Sequence, residues 1–216
     1  MPTYLDITPP LSPRLAVWPG DLPFQRDAVT VPCPGGALEI GSIRTTLHAG
    51  AHADAPSHYL AGAPAINQLD LTPYLGPCEV VQVALPAGAR ILPVHCPARF
   101  RTPRVLFRTN SYPDPERFSP DFNALSVELV HHLKAEGCLL VGIDTPSVDP
   151  FTSIALESHR ALGACDLRVL EGLDLRQAAP GLYTLIALPL RIEGGDGSPV
   201  RAILVQAGDP EGPAKE

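Results

Sequence analysis

One short stretch of the chain, HAGAHADAPSH at residues 48–58, gathers four residues of the types that bind metal ions. They are His48, His52, Asp54 and His58. Every residue between them except Ser57 is Ala, Gly or Pro, so neighbouring backbone could pack close to them. The four positions differ by even numbers, so in an extended chain all four side chains would leave one face. Imidazoles and a carboxylate that converge in this way suit zinc, iron or manganese.

A helical arrangement of the same stretch is disfavoured. A helix would bring His48 and His52 together but would point Asp54 away from them. Gly50 and Pro56 also disfavour a helix. Four such residues within eleven, in a chain with seven histidines, exceed what an ordinary polar strand and turn would carry. We therefore interpret the stretch as a metal centre.

The rest of the chain predicts an α/β protein, a single mixed domain with more strand than helix. Apolar and β-branched runs bounded by Pro, Gly or Asp predict seven strands. These are residues 4–7, 38–47, 79–85, 104–108, 139–143, 183–190 and 202–206. The runs at 139–143 and 183–190 are almost wholly apolar, which is typical of strands buried on both faces.

Two helices are predicted to accompany these strands. In residues 126–136 the apolar side chains recur at helical spacing, and Gly137 ends the pattern. A second helix is predicted within 152–162, with Gly163 as its stop signal. The segment 96–120 carries five prolines and predicts mostly loop around one strand.

Length, charge and cysteine usage exclude several classes of protein. The 216 residues match about one domain, so we expect one domain over residues 1–216. A net charge of -7 argues against a nucleic-acid surface. No run approaches the ~20 apolar residues of a membrane span, and the N-terminus lacks the features of a signal peptide. Five cysteines without a CxxC pair argue against disulfides or a thiolate zinc site and indicate a reducing cytoplasm.

The stretch HAGAHADAPSH resembles the HxGTHxDxPxH signature of the cyclase-type metal-dependent hydrolases, and most of all their bacterial kynurenine formamidase (arylformamidase) subgroup. Ala51 stands where the general signature has Thr, and the subgroup shares this departure. Four further stretches carry the resemblance along nearly the whole chain. They are AVWPGD with Trp18, GIDTPSVDP at 142–150, ESHRALG with His159, and LRVLEGLDL with Glu171.

The resemblance implies a fold, an assembly and a two-metal centre. The fold would be the swivelling β/β/α type of the cyclase family, assembled as a homodimer. The metal would be two Zn²⁺ per chain, with Mn²⁺ or another divalent ion as alternatives. The implied ligands are His48, His52 and Asp54 for the first ion, and Asp54, His159 and Glu171 for the second. Asp54 and Glu171 would be shared, His58 would be the general acid/base, and Trp18 would contact the substrate.

The implied activity is hydrolysis of N-formyl-L-kynurenine to L-kynurenine and formate in tryptophan degradation. An aryl amine leaves poorly as an anion, and His58 is the residue expected to protonate it. Three other functions stay open at this point. One is a sibling hydrolase for another small amide or a cyclic imide such as isatin. The second is a mononuclear iron(II) oxygenase on His48, His52 and Asp54, and the third is a metal-stabilised binding protein.

One further carboxylate, Asp144, is left with two possible roles. It ends a predicted buried strand, where the sites of α/β proteins often lie. It could orient a ligand histidine or cap a turn.

Overall fold

The architecture comes from a computed structural model, which describes residues 2–206. The strands are β1 (Thr3–Asp6), β2 (Gln25–Cys33), β3 (Gly36–Arg44), β4 (His52–Asp54), β5 (Leu75–Gln82), β6 (Arg90–Ile91), β7 (Arg104–Arg108), β8 (Ala124–Leu125), β9 (Leu140–Ile143), β10 (Arg168–Glu171), β11 (Gly181–Ile186), β12 (Gly197–Pro199) and β13 (Ile203–Gln206). The α-helices are α1 (Val127–Ala135) and α2 (Glu157–Ala164). Short 3₁₀ turns lie at Pro56–His58, Ile66–Gln68, Thr72–Tyr74 and Pro93–His95. Strand exceeds helix, which confirms the predicted α/β class.

A nine-stranded mixed sheet contains the middle of the predicted metal-binding stretch, His52–Asp54. Its order is β1-β13-β11-β5-β7-β9-β10-β4-β12. The four central strands β5, β7, β9 and β10 run parallel, and antiparallel strands flank them on both sides. Strand β4, with its two potential ligands, therefore lies between β10 and β12 near one end of the sheet.

The parallel centre of the sheet is buried on both faces. On strand β9, Leu140 packs into one apolar cluster while Val141 packs into another on the opposite face. This alternation follows from the two-residue period of a strand. Helices α1 and α2 cover the second face, where Leu133 and Leu162 join the cluster that contains Val141. The prediction that the run at 139–143 is a doubly buried strand is confirmed for residues 140–143.

Two local predictions match their elements closely. The strand predicted at 104–108 has those bounds in β7. The helix predicted at 126–136 is α1, and the Ser126 side chain caps it by accepting the backbone N–H of Leu129 at 3.1 Å. None of the helices within residues 2–206 has the length and apolar run that a membrane crossing requires.

The prediction that the run at 183–190 is buried on both faces is wrong. The strand there is β11, which ends at Ile186, and its residues alternate between more and less exposed positions. Leu182 is 49% exposed, and Leu190 beyond the strand is 61% exposed. Because β11 lies outside the parallel centre and pairs antiparallel with β5 and β13, one of its faces meets solvent.

The predicted end of the second helix is also wrong. Helix α2 begins at Glu157 and continues through Gly163 to Ala164. A Cβ at Gly163 would lie 2.5 Å from Leu60 Cδ1 and 3.0 Å from Tyr59 Cε2. The glycine therefore serves close packing rather than termination, and it brings α2 against the segment that follows His58.

Candidate metal centre

The register between β4 and β10 builds the centre of the site. It places His52 directly opposite Glu171. His52 Nε2 lies 3.3 Å from Glu171 Oε2 and 3.4 Å from Asp54 Oδ1. All three side chains are almost completely buried. Their donor atoms are close enough to one another to hold a single metal ion.

His159 joins this centre from the first turn of α2. Its Nε2 lies 3.3 Å from both Asp54 Oδ2 and Glu171 Oε1. On the other side of the ring, Nδ1 donates a hydrogen bond to Asp149 Oδ2 at 2.8 Å. Asp149 also accepts the backbone N–H groups of Ser158 and His159, so one buried carboxylate both caps α2 and orients the ring.

Asp149 was not singled out in the sequence, although it lies in the stretch GIDTPSVDP. Burial by itself would raise the pKa of Asp149, but the hydrogen bonds from His159 and Ser158 lower it to about 2. Asp149 lies ten residues before His159, and this separation follows no helical or strand period. The one available signal was an acidic residue ahead of a predicted helix, where it could act as a cap. Asp149 therefore orients a histidine of the cluster, which is one of the two roles left open for Asp144.

Asp144 caps a turn instead. Its carboxylate accepts the backbone N–H and the hydroxyl of Thr109, at 2.9 Å and 2.6 Å, and the backbone N–H of Asn110 at 2.8 Å. These bonds fix the segment that follows β7. Of the two roles left open, the structure therefore assigns turn capping.

His48 and His58 reach the site from outside the strand. His48 lies in a turn before β4 and donates from Nδ1 to Asp54 Oδ1 at 2.9 Å. His58 lies at the end of the 3₁₀ turn that Pro56 begins, and its ring centroid is 4.1 Å from that of His48. The prediction of one extended face across all four positions is thus wrong outside β4. The chain bends at Gly50, where φ is +63°.

Asp196 links the two outer histidines and was also missed. Its Oδ2 lies 3.1 Å from His48 Nε2 and 3.2 Å from His58 Nδ1. It lies between β11 and β12, far from both histidines in the sequence. The antiparallel pairing of β12 with β4 brings this loop over the site, and no local pattern in the sequence indicates that pairing.

Backbone groups orient two of the central side chains. His52 Nδ1 donates to the carbonyl of Gly50 at 2.8 Å. Glu171 Oε1 accepts the backbone N–H of Val148 at 2.7 Å. The residue after Glu171, Gly172, comes so close to Gly50 that a Cβ on it would lie 2.1 Å from the Gly50 carbonyl oxygen. The expectation that small residues would let backbone pack closely here is confirmed.

The buried imidazoles and carboxylates balance one another electrostatically. Burial lowers the pKa of His52, but the carboxylates of Asp54 and Glu171 raise it to about 10. Burial likewise opposes charge on His159, yet its carboxylate partners raise its pKa well above the ordinary value. For Asp54 burial raises the pKa, and the surrounding histidines lower it well below the ordinary value. Each group is therefore stabilised by opposite charge within the cluster.

The donor set fits a divalent metal ion. Asp54 Oδ2 is buried and accepts no hydrogen bond from residues 2–206, although His159 Nε2 lies 3.3 Å away. A buried carboxylate oxygen without a donor is costly unless a cation neutralises it. Nitrogen and carboxylate oxygen atoms of this kind suit zinc, iron or manganese.

A cavity of about 550 Å³ opens onto the cluster. His48, His52, His58, His159 and Glu171 all line it. Part of its wall is aromatic: Trp18 is half-buried, and its ring centroid lies 5.6 Å from that of Phe118 and 5.1 Å from that of Phe151. The structure thus places every residue singled out from the sequence in or beside one pocket.

Comparisons with known proteins agree with this arrangement. Kynurenine formamidase from Bordetella petrii is 45% identical over 208 residues, which cover 94% of this chain and 98% of the relative. The protein of the same name from Sphingopyxis alaskensis is 40% identical over 200 residues, covering 92% of this chain and 96% of the relative. These matches confirm the resemblance proposed from HAGAHADAPSH.

Solved structures share the fold at low sequence identity. A protein described as a potential metal-dependent hydrolase with cyclase activity superimposes with a TM-score of 0.83 at 22% identity, over 96% of this chain and all of the other. Isatin hydrolase A from Labrenzia aggregata gives 0.79 at 21% identity, over 96% of this chain and 94% of the other. The model of the putative cyclase family matches residues 5–150, which contain β4 and most of the pocket wall. From this match and from its relatives, the chain belongs to the putative cyclase family.

Proposed function

We propose that this protein is a metal-dependent arylformamidase that hydrolyses N-formyl-L-kynurenine to L-kynurenine and formate in tryptophan degradation. One observation carries the proposal: a buried His/Asp/Glu cluster opens onto a cavity with an aromatic wall. The sequence identity of 40–45% to proteins named kynurenine formamidase supports this substrate. The likeness to isatin hydrolase rests on 21% identity and supports only the shared fold.

The proposed metal ligands are His48, His52 and Asp54 for one ion, and Asp54, His159 and Glu171 for the other. Two Zn²⁺ ions are the proposed occupants, with Mn²⁺ or another divalent ion as alternatives. When bound, a divalent ion supplies Lewis acidity that lowers the pKa of water and polarises a carbonyl group. The fit of the ligands rests on the convergence of their donor atoms and on the buried Oδ2 of Asp54.

His58 is the proposed general acid/base. Its side chain is 34% exposed and lines the cavity, so a substrate can reach it. Asp196 contacts Nδ1, which leaves Nε2 as the ring nitrogen that can exchange a proton with the substrate. When the formamide C–N bond breaks, the aryl amine departs readily only with a proton on its nitrogen, and Nε2 of His58 can supply it.

Trp18 is the proposed contact for the aromatic ring of the substrate. Its indole forms one wall of the cavity together with Phe118, and Phe151 packs against both rings. The proposed substrate carries a flat aryl ketone beside the formamide. Stacked or edge-on aromatic pairs of this kind favour binding without taking part in the chemical step.

We further propose that residues 1–216 act as one hydrolase domain in a cytoplasmic homodimer. The nine-stranded sheet draws its strands from Thr3 to Gln206, which supports one folding unit. All five cysteines are free thiols, which fits a reducing compartment.

Formate release tests the proposed activity. We expect metal-loaded protein to release formate from N-formyl-L-kynurenine faster than from simple formanilides, and to turn over isatin slowly or not at all. Activity should persist without oxygen and disappear after treatment with a chelator. Faster turnover of isatin would favour the sibling hydrolase, and a requirement for oxygen would favour the oxygenase.

Metal analysis of protein purified without chelator tests the two-ion centre. We expect two divalent ions per chain, and one or none after Glu171→Ala, because Glu171 is proposed as a shared ligand. A stoichiometry of one that Glu171→Ala leaves unchanged would contradict the two-metal centre while leaving the hydrolase assignment intact.

A further inference from the structure

The cavity that opens onto the metal cluster has little positive charge in its wall. Among residues 2–206, Arg176 is the one arginine or lysine that lines it. Besides Glu171, its lining contains the carboxylates of Asp21, Asp144, Asp174 and Asp196. A substrate that carries a carboxylate of its own therefore finds one permanently charged partner in the wall, which is the guanidinium of Arg176.

Asp174 and a backbone carbonyl hold this guanidinium in a fixed orientation. The Nε and Nη2 groups of Arg176 donate to Asp174 Oδ1 and Oδ2 at 2.8 Å and 2.6 Å, and Nη1 donates to the carbonyl of Pro113 at 3.2 Å. A guanidinium has five N–H groups, so two are left without a partner among residues 2–206. The Arg176 side chain is 53% exposed, so these two groups can reach a ligand in the mouth of the cavity.

The pair of Arg176 and Asp174 matches the charges of an α-amino acid. The pair presents one positive and one negative group side by side, and an α-amino acid carries a carboxylate and an ammonium group on the same carbon. The planar fork of an arginine binds carboxylates well. A carboxylate has enough lone pairs to accept from an ammonium group while it also accepts from a guanidinium. Asp174 is 23% exposed and lines the cavity beside Arg176, so both groups of the amino acid find a partner of opposite charge.

The wall of the cavity connects the metal cluster to this pair. Its aromatic part is formed by Trp18 and Phe118. Pro113, whose carbonyl accepts from Arg176, lies in the same segment of the chain as Phe118 and also lines the cavity. On the other side, Arg176 follows the proposed ligand Glu171 by five residues. An aryl formamide with its formyl group on the cluster and its ring on the aromatic wall therefore extends its remaining side chain toward Arg176.

We propose that Arg176 and Asp174 form a subsite for the α-amino-acid group of the substrate, with the carboxylate on Arg176 and the ammonium group on Asp174. This inference rests on the proposed function, because the substrate proposed there is an aryl formamide whose ketone side chain ends in an α-amino acid. The amino-acid group lies away from the C–N bond that breaks, so its contacts act equally on the bound substrate and on the transition state. The subsite therefore selects among aryl formamides and takes no part in the chemical step.

Steady-state kinetics of the metal-loaded full chain with two formamides test the subsite. N-formyl-L-kynurenine carries the amino-acid group, whereas 2-formamidoacetophenone has the same aryl ketone and formamide but ends in a methyl group. The test variant is Arg176→Gln. The matched control is Arg201→Gln, which removes the same charge from another exposed arginine–aspartate pair, Arg201 with Asp6, outside the lining of this cavity.

The loss should appear with one substrate and one variant only. We expect Arg176→Gln to lower kcat/KM for N-formyl-L-kynurenine by about 5–12-fold, mainly through KM, because a charged contact at this partly exposed position is worth more than a fully exposed ion pair and less than a buried one. The value of kcat/KM for 2-formamidoacetophenone should equal that of the wild type. Arg201→Gln should leave both values unchanged.

The outcomes separate the subsite from the proposed function. The subsite is overturned if Arg176→Gln keeps the wild-type value for N-formyl-L-kynurenine, if it loses equally with both formamides, or if Arg201→Gln shows the same loss. A wild type that hydrolyses 2-formamidoacetophenone as well as N-formyl-L-kynurenine would also overturn the subsite, but it would leave the formamidase activity standing. A wild type that hydrolyses neither compound would refute the proposed function and the subsite with it.

Product inhibition of the wild type covers the case in which Arg176→Gln does not fold. L-Kynurenine should inhibit hydrolysis of 2-formamidoacetophenone more strongly than its methyl ester does, because the ester lacks the negative charge that Arg176 is proposed to bind. Equal or stronger inhibition by the ester would overturn the assignment of the carboxylate to Arg176.

Discussion

The substitution Gly172→Ala should damage both the fold and the metal centre, because Gly172 lies against the backbone that orients His52. The Gly172 backbone has φ +63°, and an added Cβ would lie 2.1 Å from the Gly50 carbonyl oxygen. That oxygen accepts the hydrogen bond from His52 Nδ1 at 2.8 Å. Relief of the clash must move one of the two backbone segments, and either movement disturbs a proposed metal ligand.

The expected loss of stability has two parts. An alanine in the left-handed region costs about 1–2 kcal/mol, and forcing an extra carbon into a filled site costs about 1–3 kcal/mol. Together they amount to about 3.5 kcal/mol at the middle of these ranges, which lowers the melting temperature by roughly 7–14 °C in a chain of this size. Displacing the hydrogen-bond acceptor of His52, a proposed metal ligand, should also weaken metal binding by about 10–100-fold.

Gly137→Ala is the matched control for this experiment. Gly137 also has a positive φ, +81°, but nothing lies within 4 Å of its added Cβ, and it follows α1 away from the site. Only the backbone conformation is then strained, so we expect a loss of about 1.5 kcal/mol, or roughly 3–6 °C, with unchanged metal affinity. Thermal unfolding of the metal-free proteins and zinc titration of each measure both quantities.

The differences in stability and zinc affinity between the two variants test whether the close approach of Gly172 to Gly50 supports the site. If Gly172→Ala and Gly137→Ala lose the same stability and bind zinc equally well, the close approach of Gly172 to Gly50 does not support the site. A Gly172→Ala protein that is less stable but keeps full zinc affinity would show that the clash is relieved without moving His52.

Three further predictions concern single side chains. His58→Ala should keep its metal and lose about 10²–10⁴ in turnover, whereas His52→Ala should lose both its metal and its turnover. If elemental analysis finds equal loss of metal from the two variants, His58 is a ligand. Trp18→Ala should raise KM by roughly 2–12-fold, from the ~0.5–1.5 kcal/mol of an aromatic contact, with a smaller fall in kcat. Unchanged steady-state kinetics would contradict the proposal that Trp18 contacts the substrate. The pKa of Asp149 is lowered to about 2 from 3.8, so its ionised form stabilises the fold above about pH 4, and that contribution is lost as the pH falls through about 2. Between about pH 4 and pH 2 the free energy of unfolding of Asp149→Asn, measured by urea titration, should therefore fall by about 2 kcal/mol less than that of the wild type. An equal fall in the two proteins would contradict this.

Local patterns in the sequence were enough to predict the strands and helices whose burial follows from their own residues. Strand β7 and helix α1 were predicted within a residue or two, because an apolar run and a capped amphipathic run each favour one structure. Strand β11 was predicted too long and too deeply buried, because its composition could not show that it lies outside the parallel centre of the sheet. The predicted end of helix α2 came before Gly163, whereas the helix continues to Ala164. A glycine needed for close packing gives the same sequence signal as a glycine that stops a helix.

For the site itself, the sequence alone determined which residue types are present and that small residues separate them. His52 and Asp54 share a face of β4, as their spacing predicted, since that spacing acts within one strand. Only the tertiary structure decided that Glu171 faces His52, through the β4–β10 register, and that Asp149 and Asp196 orient the histidines. Pairing between strands more than a hundred residues apart depends on the assembled sheet. The two-residue period of a strand shows which of its side chains share a face, but not which other strand pairs with it.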